Sequence, residues 1–228
     1  MLIFLDIETT GLDAIDKICS IGIIAERNKD VISIYDLVNE GKKIASLASS
    51  INHITNEMLK GKPKFKESEA YKFLVKHNNE STTIVGHNIK FDLAFLHASG
   101  FDFVGEVIDT LRVTKHLIPE CELFSLQFLR YELKLYKREK EELKSHHALG
   151  DANVVKNLYE YLLDMGTKDL LAELSFKKVL ISKFEFGKYQ GRYIEEISMI
   201  DRGYLEWMLV NIVDLDEDLR YSLSYYLD

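Results

Sequence analysis

Cysteine and proline are each present only twice in this 228-residue chain, and no apolar run approaches the roughly 20 residues a membrane helix needs. Cys19 and Cys121 lie far apart, which argues for free thiols in a reducing compartment and against a disulfide scaffold or a cysteine zinc site. The amino terminus, MLIFLDIETTG, reaches an acid at Asp6 without a basic start or cleavage site. A soluble, unprocessed, cytoplasmic protein without a membrane partner is therefore expected. An excess of positive charge is also missing: 29 Lys and Arg stand against 37 Asp and Glu, for a net charge of −8. That sign excludes a broad basic face holding nucleic acid by counterion release. It does not exclude nucleic acid altogether, because a carboxylate cluster can be a cation site whose metals reverse the local field.

The composition itself, 46% hydrophobic, 29% charged and 11% aromatic, is that of a globular protein. The length suits one large domain, or one with a small appendage. Leu2–Ile7, Ile18–Ala25 and Val31–Val38 are β-rich runs with short polar breaks, and predict an antiparallel meander. Helical pattern at Ala70–Val75 and from Phe91 to Leu96 then alternates with short strands at Thr82–Val85 and Val107–Ile108, which favours a parallel extension of the same sheet. Ser125 is a plausible N-cap for a helix to Leu135. Ala148, Ala152, Val155, Tyr159 and Leu162 have the three-four spacing of a helix face packed on the sheet. Between these helices, Lys134–Lys144 carries both signs of charge and reads as a solvated connector, with a DNA contact as the alternative. Composition shifts after Ser175: Lys177, Lys178, Lys183, Lys188 and Arg192 face only Glu185, and an acidic helical stretch follows. The expected division is 1–176 and 177–228.

Asp6 and Glu8 are two apart at the end of the first strand and so project from one face. Such a pair is costly to hold close unless protons or a hard cation neutralise it, although solvated acids at a strand end are the commoner reading. Thr9, Thr10 and Gly11 add a turn where N–H groups and hydroxyls can approach a phosphate or sugar. Asp92 lies in GHNIKFDLAFL, where Gly86 and Asn88 suit a turn and Phe91 and Phe95 supply core contacts; an acid in the first turn of a helix explains it equally simply. In HHALGDA, Asp151 follows His146 by five residues, about 140° apart on a continuous helix. A shared site therefore requires His146 to sit on the preceding loop. Gly150 would permit close approach of another backbone, and either His146 or His147 could serve as a base.

DIETTG, GHNIKFDLAFL and H-x-x-x-x-D occur in the order and at the scale of three exonuclease motifs, and over residues 1 to about 165 the chain resembles the DEDDh family of 3′→5′ exonucleases. The resemblance implies an RNase H-like α/β fold, with a mixed five-stranded sheet flanked by helices. It also implies hydrolysis at a DNA 3′ end, single-stranded by preference, to give nucleoside 5′-monophosphates. Asp6, Glu8, Asp92 and Asp151 would hold two Mg²⁺ ions, with Mn²⁺ able to substitute, and His146 would be the general base. Thr9, Thr10, Gly11, Leu12, His53 (in INHITNEML), Asn88 and Phe91 would contact substrate. Asp109 in VIDTL matches a common family position, where a structural role serves as well. FEFGKYQGRYIEEI, GYLEWMLVN and LRYSLSYYL are similar to the carboxy-terminal region of the exodeoxyribonuclease X branch, which implies a small α/β module. Its residues read as a Gly-turn hairpin with bases interleaved among aromatics, suited to single-strand contacts, and with Trp207 in a small core. Replication or repair proteins are the partners so implied. The alternatives are an RNA-trimming exonuclease of the ribonuclease T or oligoribonuclease type, and a noncatalytic binding module.

Overall fold

The structure, a computed structural model, describes residues 1–228 except 29, 140–142 and 144. Among the described residues the sheet has five strands: β1 (Leu2–Thr9), β2 (Ile18–Arg27), β3 (Asp30–Leu37), β4 (Thr83–Gly86) and β5 (Glu106–Asp109), in the order β3-β2-β1-β4-β5. β1 and β2, and β2 and β3, pair antiparallel; β4 adds parallel to β1, and β5 parallel to β4. The meander and its parallel extension are thus both present. The helices of this part are α1 (Ser46–Asn52), α2 (Glu69–Lys76), α3 (Ile89–Ala98), α4 (Thr110–Leu117), α5 (Leu126–Glu132), α6 (Ala148–Leu163) and α7 (Lys168–Leu174). None of the described helices is long and apolar enough to cross a membrane.

Strand alternation sorts the core into two layers. Ile3, Leu5 and Ile7 of β1 face one cluster, with Leu74 of α2 and Leu96 of α3. Phe4 faces the other, with Val113 of α4, Leu129 of α5 and Val155, Leu158 and Leu162 of α6. Asp6 and Glu8 continue the Phe4 face by the same period of two, so the acids replace apolar residues where that layer reaches the sheet's end. The β1–β2 register there passes from Glu8 opposite Ser20 to Thr9 opposite Ile18, leaving Cys19 as an extra residue. This bulge ends the pairing directly beside the carboxylates.

α6 packs across β1 and β2. A Cβ built on Gly22, the residue paired with Asp6, would lie 2.2 Å from the Ala148 carbonyl carbon and the Leu149 nitrogen. At this junction it is Gly22 on the strand that admits the backbone of α6. A glycine inside an otherwise apolar strand carries that information only once the helix opposite is known.

Several local expectations change. The helix after Ser125 stops at Glu132, because Lys134 takes a left-handed conformation (φ 55°) and Leu135–Arg138 is a 3₁₀ turn. The connector Lys134–Lys144 is not wholly solvated, since Glu139 is buried against Arg130; its residues 140–142 and 144 lie outside the described set. α1, α4 and α7 had no expectation, being helices of seven or eight residues.

The chain forms two compact units, Met1–Ser175 and Phe176–Asp228. The second contains α8 (Ile194–Ile200), α9 (Arg202–Asn211) and α10 (Glu217–Leu227) around Phe184, Ile194, Ile197, Leu205, Met208, Leu219 and Leu223. Val179 N–H donates to Asp218 and Ile181 N–H to Ser222, tying the entering chain to α10. The module is helical where an α/β module was expected: the Gly187 and Gly191 turns, at φ 79° and 80°, bring the chain back for one antiparallel bridge, Lys183 with Tyr193, before α8 begins. Trp207 is not in the core. It is 52% exposed on the outer face of α9 and stacks on Tyr204, while Leu205 and Met208 point inward. The bases of the turn are engaged within the unit: Lys188 with Asp201, Arg192 with Glu196, and Lys183 over the Tyr193 ring.

Gly22→Ala should destabilise the protein by about 1–3 kcal/mol, the usual cost of overpacking, because the new methyl meets backbone that no rotamer change can move. Thermal unfolding with and without divalent ions would show it.

Candidate active site

Three elements and one turn bring the acids together. β1 supplies Asp6 and Glu8, the first turn of α3 supplies Asp92, and the first turn of α6 supplies Asp151. Asp92 is 4% exposed and accepts the Ile7 N–H at 3.1 Å, which locks α3 to the strand between the two β1 acids. His146 precedes α6 in a left-handed turn (φ 55°) and is exposed, so it occupies the loop position that its spacing from Asp151 demanded. Glu8, His146 and Asp151 each present one potential ligand atom within 4.8 Å of the others. A cleft of about 330 Å³ is lined by Asp6, Ile7, Glu8, His87, Asn88, Phe91, Asp92, Ser125, Leu126, Gln127, His146 and Asp151.

The electrostatics are those of acids crowded away from water. Burial raises Asp6 well above the usual carboxylate range, and Asp92, Asp151 and Glu8 add to it. Burial likewise raises Asp92. Glu8 is pushed up to about 7, first by burial and then by Asp151, against a hydrogen bond from Asn52. Burial takes Asp151 to about 6, against the pull of His146 and a Gln127 hydrogen bond. A carboxyl raised on folding stabilises fully below its ordinary value, and that contribution is lost as pH climbs through the raised one. Glu8 and Asp151 therefore weaken the cation-free fold as pH passes 6 and 7, and a bound cation reverses the penalty. An all-oxygen carboxylate set with this cost is suited to a hard divalent ion, and the cleft is a candidate site for one.

The expected substrate-contact residues divide. Asn88, itself left-handed (φ 61°), and Phe91 line the cleft. Thr9, Thr10, Gly11, Leu12 and His53 lie outside its lining among the described residues. The Thr10 hydroxyl is buried and donates to Asp16, and the Thr9 hydroxyl donates to the Gly11 carbonyl, so both close the turn. Leu12 is 82% exposed at its tip, and His53 is an exposed left-handed residue ending α1. Asp109 caps α4 through the Leu111 N–H and accepts the Asn88 N–H, a structural role. His147 caps α6 through the Gly150 N–H and stacks on Tyr35, with ring centroids 4.3 Å apart.

Sequence reasoning missed three side chains here. Buried Asn52 hydrogen-bonds Glu8 and donates to the Thr9 carbonyl, bracing the end of β1. Gln127 donates to Asp151 Oδ1 at 2.6 Å. His87 lies in the Gly86–Leu96 motif and drew no reading; its Nε2 donates to the Phe124 carbonyl, and burial pushes its pKa down to about 4, so it is a neutral clasp. No periodicity marks Asn52 or Gln127, which are defined only by what stands opposite them.

The Exonuclease family model, RNase T, matches residues 3–159, and the model described as Exodeoxyribonuclease X-like C-terminal matches residues 184–213. Exodeoxyribonuclease 10 of Escherichia coli K12 is 29% identical over 231 aligned residues, covering 100% of this chain and 99% of that protein. DNA polymerase III PolC-type of Thermotoga petrophila is 32% identical over 76% of this chain but only 12% of its own length. A solved structure of Exonuclease X in complex with 5′ overhanging duplex DNA superposes with a TM-score of 0.63 at 25% identity, over 77% of this chain and 99% of that one. Since the first family model runs unbroken through all four carboxylates and His146, the chain belongs to the Exonuclease family.

Proposed function

We propose that the chain hydrolyses the terminal phosphodiester at DNA 3′ ends and releases nucleoside 5′-monophosphates. The observation that carries this is the meeting of four buried or half-buried carboxylates from three elements with one exposed histidine in a single cleft. DNA is favoured over RNA by the relatives, among them an exodeoxyribonuclease that matches this chain end to end and a structure that holds DNA. The polymerase relatives support a setting in DNA replication or repair. Asp6, Glu8, Asp92 and Asp151 would hold two divalent ions, Mg²⁺ with Mn²⁺ able to substitute, whose bound charge stabilises the attacking and leaving oxygens of an in-line displacement.

The residues of the chain divide the remaining work. His146, at the exposed lip of the cleft, takes the proton of the attacking water, while the Tyr35–His147 stack holds the turn that presents it. Asn88 and Phe91 wall the side where the terminal nucleotide would lie. Residues 1–176 carry hydrolysis and 177–228 assist on longer strands, a reading supported by the separate compactness of the second unit and its exposed Phe186, Tyr193 and Trp207. The decisive experiment follows end-labelled single-stranded DNA, duplex DNA with a recessed 3′ end, and RNA, with Mg²⁺ or Mn²⁺ and with chelator. Ion-dependent shortening of DNA from the 3′ end is expected; equal or faster digestion of RNA would move the assignment to an RNA-trimming enzyme.

Four variants test the assignments. Asp6→Ala should abolish cleavage and, without divalent ion at pH 8, melt higher than wild type, because the most crowded acid is gone. Near-normal ion-dependent cleavage by purified Asp6→Ala protein would be incompatible with the site. His146→Ala should lower turnover by ~10²–10⁴, the usual contribution of a general base, whereas His147→Ala should cost far less and act through the α6 cap and the Tyr35 stack. Steady-state rates at saturating Mg²⁺ compare the two. Removal of residues 177–228 should leave cleavage of short oligonucleotides intact and weaken binding to longer ones, as measured by fluorescence anisotropy against strand length.

A further inference from the structure

One buried chain of hydrogen bonds begins away from the cleft and ends inside it. Arg130 of α5 and Glu139 beyond the 3₁₀ turn form an ion pair whose side chains are 6% and 5% exposed. Arg130 Nε and Nη2 donate to the two Glu139 oxygens at 2.7 and 2.6 Å, a fork that fixes the guanidinium plane. The remaining bonds point elsewhere. Nη1 donates to Gln127 Oε1 at 3.2 Å, and Nη2 also donates to the Leu143 carbonyl at 3.2 Å. A guanidinium can only donate, so the Gln127 carboxamide must turn its oxygen to Arg130 and its nitrogen away. That nitrogen is the donor to Asp151 Oδ1 at 2.6 Å.

A pair serving stability alone would leave its spare donors to solvent. Here one spare donor orients an amide that ends on a cleft carboxylate, and another fastens the carbonyl three residues before His146. We infer that Glu139, Arg130 and Gln127 form a positioning relay that fixes the rotation of the Asp151 carboxylate, with Arg130 also holding the Leu143 carbonyl. The inference rests on reading the cleft as the divalent-ion hydrolytic site proposed above. Partners behind a metal ligand orient it, and their loss costs about 10–100-fold in ion affinity or activity.

Two full-length variants separate the arms. Gln127→Leu removes the amide and leaves the Arg130–Glu139 pair in place. Arg130→Lys keeps the charge but cannot fork onto Glu139 while holding both Gln127 and Leu143. Mn²⁺ affinity without DNA, measured by titration calorimetry, should fall about 10–100-fold in both. On single-stranded DNA, kcat should drop with KM unchanged, and further in Arg130→Lys, where the Leu143 anchor is also lost. Wild-type Mn²⁺ affinity in folded Gln127→Leu protein, whatever its melting temperature, would overturn the relay, as would a rise in KM at unchanged kcat. Should the wild type bind Mn²⁺ yet cleave no DNA, the nuclease reading fails, and the calorimetric comparison still decides the relay.

Discussion

Everything at the carboxylate cleft depends on how closely the start of α6 lies against the sheet. At Gly22 the strand has no Cβ, and the Ala148–Leu149 peptide occupies that space. With the helix start seated there, the strand partner of Gly22 is Asp6, and Asp151 stands one turn further on. A side chain at position 22 would lift the helix and with it both Asp151 and the turn bearing His146. The acids do not assemble by attraction. Packing of Val155, Leu158 and Leu162 behind them, all fully buried, brings together groups that burial and mutual repulsion oppose. The same face of the sheet is apolar at Phe4 and acidic two and four residues on, so one end of a continuous layer stabilises what the other end destabilises.

The sequence made much of this legible because period and motif agreed. The three opening strands showed as β-rich runs, α6 as a three-four stripe, and the acids as features of strand and helix ends. The four carboxylates and His146 were identifiable, since each stands near an element end where a charged residue interrupts an apolar pattern, whereas His87 in the same cleft was not. The supporting residues were not. Asn52 ends a short helix, and Gln127 sits two residues past the cap position of a helix of seven residues; their meaning comes from Glu8 and Asp151 across space. Trp207 shows the opposite failure. A single tryptophan in a small unit is a natural core residue, but Leu205 and Met208 already fill the inward face of α9 and leave position 207 outside.

The carboxy-terminal unit illustrates why a count of bases is a poor guide to charge. Five basic residues precede Tyr193, yet Lys188 lies 2.9 Å from Asp201 and over the Tyr189 ring, Arg192 pairs with Glu196, Lys183 caps Tyr193 and Lys178 lies over Tyr221. Exposed pairs of this kind contribute little to stability and are weakened by salt. Their consequence is a surface whose charges are largely paired, so contact with nucleic acid there would rest on the exposed Phe186 and Trp207 rings more than on phosphate attraction.

An acidic chain acting on a polyanion is then less paradoxical than its net charge of −8 suggests. Long-range attraction to DNA is absent, and at physiological ionic strength charges beyond about 8 Å are largely screened anyway. What matters is the field within the cleft, where Asp6, Glu8, Asp92 and Asp151 concentrate negative charge with His146 at the edge. Such a site attracts cations before it can meet a phosphate, and ions held there invert the local sign. On the proposed reading, the acids that repel DNA in the ion-free protein would, once they hold ions, let it grip a terminal phosphodiester. Affinity would thereby be confined to the strand end that fits the cleft, which is the selectivity an enzyme working only from ends requires.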